Sequence, residues 1–226
     1  MYRAKNIVVC LDGTGNQIEE NLSNVLKLYR TIAKGKRSDA TQKVFYDQGV
    51  GTIGRIKSWG GGWQRMKSAF GLATGLGLDQ IVLRAYNFIV ENYHEEEVQT
   101  QGGGTETVRD QIYIFGYSRG AHAARVLAAL IYYVGILKPE QAHLSGVALT
   151  AYKRARESNL DEVVMFNRIS QAFRPGIRFL GVWDTVSSVI VPRGGRFPAR
   201  SAEKLLGTRH NPGVAVFRHA MSIEES

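Results

Sequence analysis

Unbroken apolar blocks alternate with segments of helical period along this chain, and glycine-rich turns separate them. Ile7-Val8-Val9-Cys10-Leu11 contains no charged residue, the pattern of a strand buried on both faces. It runs into Asp12-Gly13-Thr14-Gly15-Asn16, a turn rich in residues that tolerate unusual backbone angles. From Asn21 to Lys34, apolar Leu22, Val25, Leu26, Tyr29 and Ile32 recur at helical spacing, and Asn21 or Ser23 can cap the start. Lys43-Val44-Phe45-Tyr46 predicts a second strand, ending in another glycine-marked turn over 47–52. Leu78 to Tyr93 predicts a helix that closes at His94-Glu95-Glu96-Glu97, and Gln99 to Thr107 reads as a surface loop. Gln111-Ile112-Tyr113-Ile114-Phe115 is strand-like, and the small apolar run Ala121–Leu130 is helix-forming. Gly135 is placed to stop that helix. Two further helices are expected over Pro139–Arg156 and Asp161–Phe173, a strand over Ile177–Val182, a loop over Pro192–Pro198 and a last helix over Val214–Glu225. Strands that alternate with helices imply a mainly parallel α/β sheet with helices on both faces.

The segment Arg55–Gly77 departs from this alternation. Two tryptophans bracket a glycine run in Trp59-Gly60-Gly61-Gly62-Trp63, with Met66, Phe70 and Leu72 beyond. It reads as a loop and short helix packed on the core, or as a lid or insertion over a site. With 226 residues the whole chain is expected to be one domain, or one domain plus a small extension. No apolar run approaches a membrane span and no secretory leader precedes the first strand. Synthesis in the cytoplasm is the expectation, with delivery by a signal-free secretion route left open. Cys10, the single cysteine, excludes an internal disulfide framework. The net charge of +9 suits contact with an anionic membrane surface or simple solubility. No nucleic-acid recognition motif accompanies it, so nucleic acid is the least favoured partner.

The chemistry concentrates where strands end. Gly116-Tyr117-Ser118-Arg119-Gly120 lies between a strand and a small-residue helix, the context of the nucleophile elbow of an α/β-hydrolase. Ser118 is the expected nucleophile. A free hydroxyl is a poor nucleophile at neutral pH and needs a histidine base steadied by a carboxylate. Asp184, at the end of the Ile177–Val182 strand, follows Ser118 in the hydrolase order. One oxyanion donor is expected from the amide of Arg119, and the other from Gly13 or Thr14, with Asp12 orienting that loop. The spacing there matches no phosphate-binding P-loop. The base is the difficulty. His94 and His143 read as surface or structural, His122 points away from the usual base position, and His210 lies in a loop. His219 has the right chain order but sits where a packed structural histidine is equally at home.

At these residues the chain resembles the α/β-hydrolase catalytic domain of bacterial type VI secretion lipase effectors of the first class. The matching segments are Leu11-Asp12-Gly13-Thr14-Gly15-Asn16, Ser23-Asn24-Val25, Gln48-Gly49-Val50-Gly51-Thr52, Gly116–Ala121, Gly181-Val182-Trp183-Asp184-Thr185-Val186 and His219-Ala220-Met221-Ser222-Ile223-Glu224-Glu225. The resemblance implies a serine esterase of phospholipase A type, with no cofactor and no metal in the chemical step. It implies a lipid or ester substrate and admits a secretion-apparatus or immunity protein as partner. Family members usually carry Asp-Glu where Glu224-Glu225 stands. They also place a histidine in a Pro-Gly-x-His-Ser-Asp-like segment downstream, and this sequence stops at Ser226 before any such segment. Three readings follow: the sequence is the N-terminal part of a longer domain, another chain supplies the base, or His219 has taken the role. The first is favoured, because Ile223–Ser226 breaks off within a helical pattern with no capping glycine. A catalytically incomplete hydrolase fold, acting as a binding or assembly module, is the alternative function.

Overall fold

The computed structural model describes residues 3–13, 22–32, 41–49, 75–100, 102–185 and 205–222. Among them, five parallel strands form one sheet in the order β2-β1-β5-β6-β7. These are β1 (Asn6–Leu11), β2 (Gln42–Asp47), β5 (Gln111–Tyr117), β6 (Ile177–Trp183) and β7 (Phe217–Ala220). The central strand β5 is the one that carries the serine turn. In register, Leu11 pairs with Asp47 on one side and Gly116 on the other, Gly116 with Val182, and Val182 with His219. The carboxyl ends of β1, β5, β6 and β7 therefore open at one edge, where parallel sheets carry their reactive groups.

Side chains alternate across the sheet and fill two apolar layers. Ile7, Val9, Leu11, Ile112, Ile114 and Val182 face helices α2 (Gly75–Asn92) and α3 (Arg119–Tyr133). Val8 and Cys10 join Val25 of helix α1 (Asn24–Thr31) on the opposite face, with Phe115 and Trp183 packed beside them. Ser23 caps α1 through the Leu26 amide at 3.0 Å, and the Cys10 thiol is buried. Nearly all of α3 from Gly120 to Ile131 is buried, and its alanines let the helix lie close against the sheet. Gly135 adopts φ 94° just past its end, and the Gly135 carbonyl accepts from the Tyr86 hydroxyl at 2.9 Å. The stretch expected as one helix from Pro139 divides into a 3₁₀ turn (Pro139–Leu144) and α4 (Ser145–Arg154), followed by α5 (Asp161–Ser170).

Two expectations are overturned. The region expected as loop over Gln99–Thr107 is a two-stranded antiparallel hairpin, β3 (Glu95–Gln99) with β4 (Thr105–Arg109). Its charge hid it: each strand is mostly exposed, so no apolar face marked it, and cross-strand pairs such as Arg109 with Glu95 at 3.1 Å hold it. The second is the helix expected over Val214–Glu225. Phe217–Ala220 is instead strand β7, because it pairs in register with Leu180–Trp183 of β6; at the two ends of the ladder the Val216 carbonyl accepts from the Leu180 amide at 2.9 Å and the Ala220 carbonyl from the Asp184 amide at 3.0 Å. The apolar, β-branched run Val214-Ala215-Val216-Phe217 at its start was the available signal. Ile223–Ser226, on which the expected helix break falls, most of Arg55–Gly77 and all of Pro192–Pro198 lie outside the described residues. Among the described residues no helix is long and apolar enough to cross a membrane.

Candidate active site

Ser118 stands between the last residue of β5 and the first of α3. Its backbone is at φ 54°, ψ −117°, a sparsely populated conformation for a residue with a side chain and one that costs roughly 1–3 kcal/mol. The turn is over-determined by its neighbours. The Ser118 amide donates to the Trp183 carbonyl at 3.0 Å, and the Ser118 carbonyl accepts from the amides of Ala121 and His122. The two glycines are steric requirements. A Cβ on Gly116 would lie 2.5 Å from the Gly120 carbonyl oxygen, and one on Gly120 would lie 2.2 Å from that of Leu11. Strand, turn and helix therefore approach as only glycine permits.

The β1 turn meets the serine directly. A Cβ on Gly13 would lie 3.2 Å from Ser118 Cβ. Asp12, buried beneath, organises this corner. Its Oδ1 accepts from the Gly13 amide at 2.7 Å, and its Oδ2 accepts from the hydroxyls of Ser23 and Tyr46, each at 2.7 Å. Burial, with the hydrogen bond to Asp12, pushes the Tyr46 phenol well above its ordinary range, so it stays protonated and donating. The Gly13 amide is thus engaged by Asp12, and Thr14, the other expected oxyanion donor, lies outside the described residues. Arg119 is the first residue of α3. Removing the carboxylate should unsettle the corner: Asp12→Ala strands the buried Gly13 and Ser23 donors and the half-buried Tyr46 hydroxyl, and should lower stability by roughly 3 kcal/mol. A urea midpoint within error of wild type would contradict that, and Asp12→Asn should lose less.

Asp184 follows β6, the strand next to that of Ser118. It has φ 43°; its amide donates to Ala220 and its Oδ1 accepts from the Ser222 amide. His219, on β7, presents its ring on the α3 side of the sheet. Its Nδ1 lies 3.4 Å from Arg125 Nη2, and its Nε2 lies 3.3 Å from Thr185 Oγ1. Burial and the Arg125 charge lower its pKa, against a smaller opposing pull from Asp184. Neither Ser118 nor Asp184 is hydrogen-bonded to His219. His122 is largely buried on α3, with Nε2 lacking a partner; burial first, then Arg125, holds it below the ordinary imidazole range. His94, His143 and His210 are exposed.

The strand order thus brings Asp12, Gly13, Ser118, Asp184 and His219 to one edge. It adds residues to which the sequence assigned no role at the site: Ser23, Tyr46, Thr185, Ser222 and Arg125. Arg125 had a legible signal, as a charge within the otherwise apolar run Ala123–Ile131.

A family model described as the catalytic domain of T6SS phospholipase effectors, Tle1-like, matches residues 5–226. An uncharacterized protein of Saccharomyces cerevisiae, YEL023C, is 28% identical over 240 residues, which cover 98% of this chain and 31% of that protein. The chain therefore spans about a third of the curated relative it matches. No solved structure matches.

Proposed function

The chain belongs to the Tle1-like catalytic domain family of type VI secretion phospholipase effectors, and from that premise we propose that it hydrolyses carboxylic esters of phospholipid acyl chains through Ser118. The observation that carries the proposal is the strained serine turn at the centre of the parallel edge, with φ 54° at Ser118, wedged between the turns after β1 and β6. In this reading Ser118 Oγ attacks the ester carbonyl carbon while a histidine takes its proton. The tetrahedral oxyanion is held by the amide of Arg119 and a second donor proposed at Thr14, since the Gly13 amide is taken by Asp12. The alcohol departs with that proton, and water then releases the acid from the acyl-enzyme. Asp184 is proposed to orient the histidine. The positive net charge favours contact with anionic lipid. Delivery by a secretion system and an immunity partner belong to the same proposal.

His219 is the candidate base within this chain, since it stands on the strand beside Asp184. Its contacts with Arg125 and Thr185 favour a second reading, in which the base comes from outside these residues. A fluorophosphonate probe separates the possibilities, because it labels an activated serine and leaves an inert one unmodified. Labelling of wild type that disappears in Ser118→Ala supports the esterase. A wild-type chain that never labels, alone or with a downstream segment supplied, leaves the binding-module alternative standing.

The pH profile identifies the base. A general base must be neutral, so labelling should rise with pH through the base's folded-state pKa. If His219 serves, that rise should lie below the ordinary imidazole range, because burial and Arg125 disfavour its protonated form. The acid limb should then vanish in His219→Ala. An unchanged limb in that variant would assign the base elsewhere.

A further inference from the structure

We propose that Arg125 is a positioning residue of this edge: its guanidinium donates to Nδ1 of His219 and so holds the imidazole as the tautomer with its proton on Nε2, turned to Thr185. The consequence for catalysis rests on the reading of Ser118 as a nucleophile that needs a histidine; the lock itself does not.

A guanidinium has five donors and no acceptor. A ring nitrogen 3.4 Å from Arg125 Nη2 can therefore only accept, so Nδ1 is the unprotonated nitrogen. Nε2 then carries the proton and donates to Thr185 Oγ1, 3.3 Å away. Arg125 is in turn held from two sides. Its Nη1 donates to the Thr208 carbonyl at 3.1 Å, and its guanidinium lies 4.9 Å from the centre of the Phe217 ring. Its Nε is buried with no partner, a penalty that packing alone does not explain. Arg125 thus ties α3, the helix that begins at the nucleophile, to β7 and to the 205–208 turn.

The charges around the ring agree with this. Arg125 faces it from α3, and Asp184 from the end of β6 with the weaker, opposite influence. Arg218, its neighbour on β7, alternates to the other face and bonds the Phe217 carbonyl. An added proton on Nδ1 would set two donors against each other, so the neutral ring is favoured. In this state Nε2 is a hydrogen-bond donor and the Nδ1 lone pair is taken by Arg125. Nδ1 can take a proton from Ser118 only after Arg125 withdraws, and Nε2 only after the ring also changes tautomer.

Nitrogen-15 NMR of the histidine rings in the intact chain tests the lock without reference to activity. Wild type should show His219 with Nδ1 unprotonated and Nε2 protonated, titrating below the ordinary imidazole range. In Arg125→Met the two tautomers should mix and the midpoint should move upward. Arg125→Lys, which keeps the charge and loses the fork, should keep the low midpoint while loosening the tautomer preference. A wild-type ring protonated on Nδ1 would overturn the proposal even if neither variant folds, and so would an Arg125→Met ring unchanged in tautomer and midpoint. Fluorophosphonate labelling of the same samples reports separately on Ser118, so failure of the esterase reading and failure of the lock are distinguishable.

Discussion

Ser118→Ala should abolish fatty-acid release from anionic phospholipid vesicles, lowering the rate by about 10³-fold to 10⁶-fold. The loss is expected to be this large because the proposed hydroxyl is the atom that forms the covalent bond. Remaining groups can still bind and polarise the ester, which leaves a small residual rate over water. Each tenfold loss corresponds to about 1.4 kcal/mol of transition-state stabilisation, so the expected range is roughly 4–8 kcal/mol. The folded state should hardly notice the change: Ser118 caps α3 without any side-chain hydrogen bond, and circular dichroism should confirm that the variant folds. Equal fatty-acid release by the two proteins would remove Ser118 as nucleophile. Ser118→Gly offers a companion result. Glycine relaxes the strain at φ 54°, so this variant should be as inactive as Ser118→Ala yet more stable than it, by about 1 kcal/mol.

Gly120→Ala should be the most damaging methyl group that can be added to the site. Its Cβ would lie 2.2 Å from the Leu11 carbonyl oxygen and 2.6 Å from that of Asp12. Both are backbone atoms of the central sheet and its first turn, so no flexible side chain can yield. Relief requires α3 to lift from the end of β1. That movement separates Gly13 from Ser118 and disturbs the bond between Asp12 and the Gly13 amide. Overpacking of this kind costs roughly 3 kcal/mol, and activity should fall with it. Gly146→Ala is the matched control. Gly146 lies in α4, where a Cβ would meet nothing within 4 Å, and alanine there should stabilise by about 0.5–1 kcal/mol. Urea midpoints that fail to separate the two substitutions would show that the close approach of helix and strand is not what demands glycine at position 120.

The elements that were legible share one property: they bury an apolar face. Ile7–Leu11, Gln111–Phe115 and Ile177–Val182 show unbroken or strongly β-branched runs because helices cover both faces of their sheet. The helix after Ser118 was equally legible from its small apolar residues. The hairpin over Glu95–Arg109 was not, since exposed strands impose little choice on their side chains and their charges read as a helix end. β7 was missed because a short edge strand takes its conformation from the hydrogen bonds of β6, which local sequence does not record.

By itself the sequence determined the strand–turn–helix at Ser118, the carboxylates at two strand ends and the order in which these occur. Those features are local, set by steric demands on glycine and by burial of neighbouring residues. Only the tertiary structure decided that β1, β5, β6 and β7 lie side by side, so that distant residues share one edge. It also decided that Asp12 takes the Gly13 amide and that Arg125 faces His219. Contacts of that kind depend on which strand pairs with which and on how closely a helix settles, and both are fixed by the summed packing of the whole core.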